Sequence, residues 1–152
     1  MFPKGPRTVT AAYTNLRKGV TILFEHKTAY RFRWSKKKKR FHLARRSPQD
    51  TSHSMPITPR VGFTWFDGNN VLLERDTFVV YDAFQNHVRF HAKVSDYFPN
   101  LPDDMIGIVY SQGDNMLIYT ASHTIQVYDK KKYRVRQTYP IEMSKFVGCA
   151  PR

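Results

Sequence analysis

Phe98-Pro99-Asn100-Leu101-Pro102 opens the stretch of sequence that decides the fold, and this stretch ends at Gly148-Cys149. Two short apolar segments, residues 106–110 and 116–119, are separated by the turn residues Gly113-Asp114-Asn115. Two further segments follow at residues 124–129 and 133–136. Four short apolar segments with turns between them predict one small antiparallel sheet. Because such a sheet has two faces to bury, it needs a neighbour, and a repeat of the same pattern would supply one.

The pattern occurs twice more, upstream of this stretch. The first-strand aromatics are 50 and 47 residues apart, and they are Tyr13, Phe63 and Tyr110. The third-strand aromatics follow them after 19, 18 and 18 residues, and they are Phe32, Tyr81 and Tyr128. Repeats of about 40–50 residues with four strands each are typical of β-propeller blades. The sequence therefore predicts a single domain over residues 1–152, with blades at about 1–54, 55–102 and 103–152.

These residues resemble the hemopexin-like repeat of matrix metalloproteinases, vitronectin and hemopexin. The resemblance covers nearly all 152 residues. It rests on the following motifs: the blade opening Thr10-Ala11-Ala12-Tyr13, the third strands Val79-Val80-Tyr81-Asp82 and Gln126-Val127-Tyr128-Asp129, the inter-blade segment Phe98 to Pro102, and the closing end Lys145-Phe146-Val147-Gly148-Cys149. The resemblance implies an all-β fold, a hemopexin-like β-propeller portion with three blades of about four antiparallel strands each.

The single cysteine, Cys149, bears on whether the chain contains a complete propeller. In the resembled family a cysteine at the end of the last blade pairs with one at the start of the first, and the propeller has four blades. Cys149 is at the closing position and no cysteine precedes it, so the resemblance implies that the chain lacks its first blade and makes Cys149 a disulfide candidate. The alternative is a free thiol near the terminus. An open propeller exposes edges and an apolar face, so we expect oligomerisation, poor solubility or completion by another chain.

Small and apolar residues indicate how the blades would pack. Ala11, Ala12, Gly62 and Gly107 fall on the first strands, which crowd around the centre of a propeller. The run Val71-Leu72-Leu73 is too apolar for a strand that faces water, so we expect it to pack against a neighbouring blade.

Composition indicates a folded, strongly basic protein. Hydrophobic residues at 41% and aromatic residues at 14% argue against disorder, and the net charge of +13 predicts attraction to polyanions. No apolar stretch approaches the roughly 20 residues of a membrane helix, and residues 1–10 lack the apolar core of a signal peptide. The resemblance nevertheless implies a secreted, extracellular location, so the chain is either a fragment of a larger secreted protein or an intracellular relative.

Two basic clusters are candidate polyanion-binding sites. From Arg31 to Arg46 there are nine basic residues and no acidic one, and the spacing places this run at the turn between a third and a fourth strand. The candidate residues are Lys36, Lys37, Lys38, Lys39, Arg40, Arg45 and Arg46, with Lys130, Lys131 and Lys132 at the equivalent turn of the third repeat. Such clusters bind heparin-like glycans, and with Phe32, Trp34 and Phe41 interleaved they could also bind nucleic acid by charge and stacking. A solvated hairpin tip is the simpler alternative.

The resemblance also implies an ion site. In the family, backbone carbonyls of the opening motif ring the channel and can hold calcium or sodium, and the matching residues here are Thr10, Arg60 and Gly107. The charge of Arg60 would oppose a cation. Six histidines raise haem binding as a further alternative. His87 and His91 would lie about 13 Å apart on a strand, too far for both to ligate one zinc ion.

The chain carries none of the local motifs of a catalytic site. There is no His-Glu-x-x-His, no glycine-rich phosphate loop and no nucleophile elbow, so we expect no enzyme activity. The sequence predicts a non-catalytic binding module for a matrix protein, an inhibitor or sulfated glycans. By resemblance it would be the C-terminal part of a matrix metalloproteinase-like secreted protein. The alternatives are a nucleic-acid adaptor acting through Lys36 to Arg46, and haem binding.

Overall fold

A computed structural model describes residues 2–65, 67–110, 115–142 and 145, except the side chain of residue 110. Cys149, residues 146–148 of the predicted closing end, and Gly113 and Asp114 of the predicted turn lie outside the described residues. Almost all of the regular structure is β, in three antiparallel sheets that follow one another along the chain. The predicted all-β architecture of three four-stranded repeats is confirmed.

Each sheet is a meander in which consecutive strands are neighbours. Sheet 1 contains β1 (Ala11–Asn15), β2 (Val20–Glu25), β3 (Thr28–Ser35) and β4 (Arg40–Leu43), and β5 (Gln49–Asp50) pairs with β3. Sheet 2 contains β6 (Val61–Thr64), β7 (Asn70–Glu74), β8 (Thr77–Asp82) and β9 (His87–Lys93), followed by the short helix α1 (Val94–Tyr97). Sheet 3 contains β10 (Met105–Tyr110), β11 (Asn115–Thr120), β12 (Thr124–Asp129) and β13 (Arg134–Pro140).

Two predicted boundaries differ from the structure. The last strand was predicted at residues 133–136, but β13 continues to Pro140. Proline is tolerated at the end of an edge strand, where its missing N–H costs no ladder hydrogen bond. The polar sequence of residues 47–58, which contains Pro48 and Pro56, predicts a linker between sheets, yet this segment includes β5 and buries Thr51, Met55 and Ile57. The linker is therefore part of the packed structure.

The chain divides into two compact units, residues 1–94 and residues 95–152. The first unit holds sheets 1 and 2, and the second holds sheet 3. The prediction of a single domain with blade boundaries near residues 54 and 102 stays a prediction.

Sheets 1 and 2 share an apolar core, which we call the inter-sheet core. Its members from sheet 1 include Ile22, Phe24 and Ala29, and those from sheet 2 include Leu72, Val79 and Tyr81, with Met55 and Ile57 from the linker. The rings of Phe24 and Tyr81 meet edge-on with centroids 5.6 Å apart. Leu72 is fully buried in this core, so the expectation that the 71–73 run packs against a neighbouring sheet is confirmed.

The first strands of sheets 1 and 2 lie side by side. Thr64 Oγ1 donates a hydrogen bond of 3.1 Å to the carbonyl of Thr14, and a Cβ at Gly62 would lie 2.8 Å from the carbonyl oxygen of Ala12. Only glycine allows this approach, which confirms the predicted crowding at Gly62. At Gly107 an added Cβ would meet Tyr119 Cδ2 of the same sheet at 3.9 Å, an ordinary contact, and crowding against a neighbouring sheet stays a prediction.

The recurring Phe-Pro segments have a packing role. Phe2 covers the buried Phe32, with ring centroids 5.0 Å apart. In the second unit Tyr128 Oη donates a hydrogen bond of 2.7 Å to the carbonyl of Pro99, and Asn100 Nδ2 donates one of 2.8 Å to that of Tyr133. In both sheets the segment before the first strand therefore packs on the aromatic residue of the third strand.

Candidate functional site

The first candidate is the tight turn at residues 36–39, between β3 and β4. Ser35 pairs with Arg40 across its base, and Ser35 Oγ accepts a hydrogen bond of 3.2 Å from the backbone N–H of Lys38. Residues 36 to 40 are all exposed. Among the described residues, none of these five side chains forms an ion pair. The predicted place of the cluster is confirmed, and the turn presents five adjacent, unneutralised cations on a fixed base.

The hairpin that carries this turn has one basic and one aromatic face. Arg33 pairs with His42 on the basic face, and Trp34 pairs with Phe41 on the other. The rings of Trp34 and Phe41 meet edge-on at 5.0 Å, and Phe2 packs on Phe41 at 4.6 Å. Half of the Trp34 surface remains exposed. The aromatic contacts hold the hairpin against the body of sheet 1, so the basic turn projects from an ordered base.

The two ends of the basic run differ in their surroundings. Arg45 and Arg46 follow β4 and are exposed, as a binding role would need. Arg31 is instead held in place: its guanidinium donates hydrogen bonds to the carbonyls of Ala83 at 3.0 Å and Arg45 at 3.1 Å. Arg31 also lies 5.6 Å from the centroid of the Phe84 ring. This arginine joins sheets 1 and 2, which the count of basic residues in the sequence could not reveal.

The second candidate is the turn between β12 and β13, which carries Lys130, Lys131 and Lys132 at the predicted place. Asp129 Oδ1 accepts hydrogen bonds from the backbone N–H groups of Lys131 at 3.0 Å and Lys132 at 3.1 Å. Asp82 binds Phe84 and Gln85 in the same way. The repeated Tyr-Asp pair thus has two roles, since the tyrosine is buried and the carboxylate closes the following turn.

The Asp129 carboxylate should make stability depend on pH. The hydrogen bond from the backbone of Lys132 is the largest cause that holds the pKa of Asp129 below its usual value; burial opposes it, and Lys131 adds to it. A folded-state pKa below the unfolded value of about 3.9 stabilises the protein above that pH, and the contribution disappears as pH falls through the folded pKa. We expect Asp129→Ala to lower the free energy of unfolding at neutral pH and to differ progressively less from the wild type below about pH 4. Urea unfolding across this pH range measures the difference, with Asp103→Ala, which removes an exposed carboxylate of the same unit, as the control. A difference that does not change with pH would contradict this assignment.

Of the three residues predicted to ring a channel, two have equivalent positions in their sheets and the third does not. The N–H of Thr10 donates a hydrogen bond of 2.8 Å to Phe24, and that of Arg60 donates one of 2.9 Å to Leu73, so these two residues are equivalent. Gly107 follows a register shift in β10 and pairs with Tyr119, which gives it the position of Ala11 and Val61 instead. Within the part of the chain that the structure describes, no group of three or more His, Cys, Asp or Glu side chains could hold a metal ion. A calcium or sodium ion on backbone carbonyls stays a prediction, as does haem binding.

A buried polar network between the end of β1 and the start of β7 was not predicted from the sequence. Asn15 and Asn70 are buried, and Asn15 Nδ2 donates a hydrogen bond of 2.9 Å to Asn70 Oδ1. The two residues are 55 positions apart, and both occur next to turns, where asparagine is common in any case. Only the repeat, which places the two turns at equivalent positions, could have indicated that they meet.

These observations define the class of the protein. It has three successive antiparallel sheets, each built on a meander of four strands. The first strands of sheets 1 and 2 lie side by side, and each third strand carries the repeated aromatic residue. This is the architecture of a β-propeller portion, the fold that the resemblance to hemopexin-like repeats implies.

Comparisons with known proteins confirm the resemblance to hemopexin-like repeats. No family model matches the chain. The chain is 27% identical over 150 residues to matrix metalloproteinase-C of Caenorhabditis elegans, an alignment that spans 98% of this chain and 25% of that protein. The chain thus covers a quarter of that relative's length. The similarity is consistent with a non-catalytic binding module.

Solved structures share the fold at low sequence identity. The hemopexin fold protein CP4 from cow pea has a TM-score of 0.66 and 8% identity, covering 87% of this chain and 67% of that one. The seed albumin LS24 from Lathyrus sativus has a TM-score of 0.67 and 11% identity, covering 96% and 72%. A plant lectin with two metal binding sites from Cicer arietinum has a TM-score of 0.66 and 12% identity, covering 91% and 69%. In the described residues no helix is long and apolar enough to cross a membrane.

Proposed function

We propose that this chain is an extracellular, non-catalytic binding module that recognises sulfated glycans through the basic turn at residues 36–40. The observation that carries the proposal is the exposure of five consecutive cations on a turn whose base is fixed by strand pairing. Like charges held this close repel one another, so a polyanion that neutralises them stabilises the turn as it binds. Arg45 and Arg46 extend the same positive region of the sequence.

An extracellular setting is supported by the relative. That relative is named a matrix metalloproteinase, and the chain aligns with a quarter of its length. A module that holds matrix glycans, a matrix protein or an inhibitor would place an attached protein near its substrate without taking part in chemistry. The basic surface provides the long-range attraction, and the sheet scaffold fixes its geometry.

Removing the turn charges should abolish most of the binding to heparin. A lysine near an anionic surface contributes about 1 kcal/mol, so changing Lys36, Lys37, Lys38 and Lys39 together to glutamine should weaken binding roughly 100-fold or more. Heparin-column elution and titration calorimetry at physiological salt measure the change. The matched control removes four exposed charges elsewhere in the same unit, Lys4, Arg7, Arg75 and Lys93. If both variants lose affinity equally, binding follows net charge and the proposal of a turn-specific site is wrong.

Nucleic-acid binding is the second candidate, because the half-exposed Trp34 lies beside the basic turn. Stacking of a base on an aromatic side chain contributes about 1–3 kcal/mol, whereas a sulfated glycan offers no base to stack. In the same assay Trp34→Leu, which removes the stacking surface but keeps an apolar side chain beside Phe41 to support the turn, should leave the affinity for heparin unchanged. A loss of affinity for single-stranded DNA larger than the loss for heparin would favour the nucleic-acid function.

A further inference from the structure

The basic face of the hairpin in sheet 1 carries one side chain whose charge depends on pH. His42 of β4 pairs with Arg33 of β3, and both side chains are exposed. The Cβ atoms of residues directly opposite in antiparallel strands lie about 5 Å apart. Arg31 and Arg40 lie two residues from Arg33 and His42 along their strands, and therefore on the same face. His42 is thus adjacent to the turn at residues 36–40, although it is not one of the five cations that define the proposed glycan site.

No carboxylate of sheet 1 lies close to this face. Neither Arg33 nor His42 forms an ion pair with another of the described residues. Glu25 and Asp50, the carboxylates of sheet 1, both pair with Thr28 at the other end of β3. Thr28 is five residues from Arg33, so these carboxylates lie roughly 16 Å along the strand, about twice the Debye length at physiological salt. Their charges are therefore largely screened at His42.

The other elements that pack on this hairpin do not supply a free negative charge either. The N-terminal segment packs on the aromatic face, and its charged side chains are those of Lys4 and Arg7. On the side of sheet 2, the carboxylate of Asp82 lies 3.5 Å from the guanidinium of Arg89. A protonated His42 would thus be one more like charge on a face that already carries several, and like charges opposite one another destabilise a sheet.

We propose that His42 is a further glycan-binding residue and that it is protonated when a sulfated glycan binds, so that binding becomes tighter as the pH falls. This inference rests on the proposed function and specifies how that site is regulated. Histidine changes its charge between about pH 5 and 8, a range in which lysine, arginine and sulfate keep theirs. A polyanion on the basic face neutralises Arg33 and Arg40, which removes the repulsion that a protonated His42 would meet. Proton binding and glycan binding therefore strengthen one another, since such coupling is reciprocal.

The effect of His42 has to be separated from a general gain of positive charge. The chain contains six histidines, and each exposed one gains charge as the pH falls. Exposed charges more than about 8 Å apart are largely screened at physiological salt, so a histidine away from the site contributes little. His91 is the matched control: it is exposed in β9, the fourth strand of sheet 2, but it pairs with Val79 instead of an arginine.

Titration with heparin at physiological salt, at about pH 7.5 and about pH 5.5, tests the proposal. The wild type should bind about three- to five-fold more tightly at the lower pH, the effect of one additional cation at an anionic surface. His42→Gln cannot take up the proton and should bind with the same affinity at both pH values. His42→Lys has a fixed charge, so it should also lose the difference and should bind more tightly than the wild type at about pH 7.5. His91→Gln should keep the difference of the wild type.

Calorimetry in two buffers with different enthalpies of protonation provides a second measurement, which detects the proton itself. Near pH 6.5 the wild type should take up protons as heparin binds, and His42→Gln should take up fewer. Circular dichroism verifies that each variant is folded at both pH values. The exposure of His42 and its lack of an ion pair among the described residues indicate that the fold tolerates both replacements.

The outcomes distinguish this inference from the function on which it rests. Equal affinity of the wild type for heparin at the two pH values would overturn the role of His42 and leave the proposed function standing. The same conclusion would follow from a pH difference that persists in folded His42→Gln, or from one that is lost equally in His91→Gln. A wild-type chain that does not bind heparin at either pH would overturn the proposed function and this inference together.

Discussion

Replacing Phe24 with alanine should lower the free energy of unfolding of the first unit by about 3–5 kcal/mol, the usual cost of removing a large buried aromatic side chain. Phe24 has no exposed surface and lies in the inter-sheet core. Its ring meets Tyr81 of sheet 2 edge-on, a geometry that stabilises aromatic pairs beyond the area they bury. The cavity would open between the two sheets, so both sheets should lose stability together.

Chemical unfolding of the wild type and Phe24→Ala measures this loss, and hydrogen exchange locates it. Amides of β2, β7 and β8 should lose protection together, because the cavity is shared by sheets 1 and 2. Phe90→Ala is the matched control: it removes the same side chain where 44% of it is exposed, and it should cost less than half as much. If the two variants were equally destabilised, or if only β2 lost protection, the two sheets would not share a cooperative core.

The repeat made most of this fold predictable. Spacings of 50 and 47 residues between first-strand aromatics align three sets of strands, and β12 has the boundaries that the sequence predicts. The basic turns were also predictable, because clustered lysines can avoid repulsion only where they are exposed to water.

Features that depend on contacts between distant residues were not predictable. The bond between Asn15 and Asn70 joins two turns, and each asparagine alone is typical of any turn. The register shift in β10 displaces Gly107 from the position equivalent to Thr10, and no local residue pattern indicates it. Leu117 and Ile118 are equally apolar in sequence, yet the structure buries only Ile118 fully. Which face of an apolar strand is covered depends on neighbours that the strand itself does not specify.

The Asn15–Asn70 pair should behave as one unit when it is mutated. Asn15 Nδ2 also donates a hydrogen bond of 3.0 Å to the carbonyl of Gly68, and Asn70 Nδ2 donates one of 3.2 Å to that of Tyr81. Removing either side chain leaves buried partners without a hydrogen bond, so Asn15→Ala and Asn70→Ala should each lower the free energy of unfolding by about 1–3 kcal/mol. The double variant should cost less than the sum, because both changes remove the same bond.

Unfolding of the two single variants and the double variant measures this coupling, which should be about 0.5–3 kcal/mol for residues in direct contact. Asn69→Ala provides the control, because Asn69 is exposed in the same turn and its side chain donates a hydrogen bond to Asp67, two residues away. It should change the free energy of unfolding by about 0.5 kcal/mol or less. Strictly additive losses for Asn15 and Asn70 would mean that each asparagine stabilises its own turn. A coupling in the expected range would mean that the polar contact helps to fix sheets 1 and 2 side by side. Gly62 permits the close approach of their first strands, and the inter-sheet core supplies most of the free energy that stabilises this arrangement.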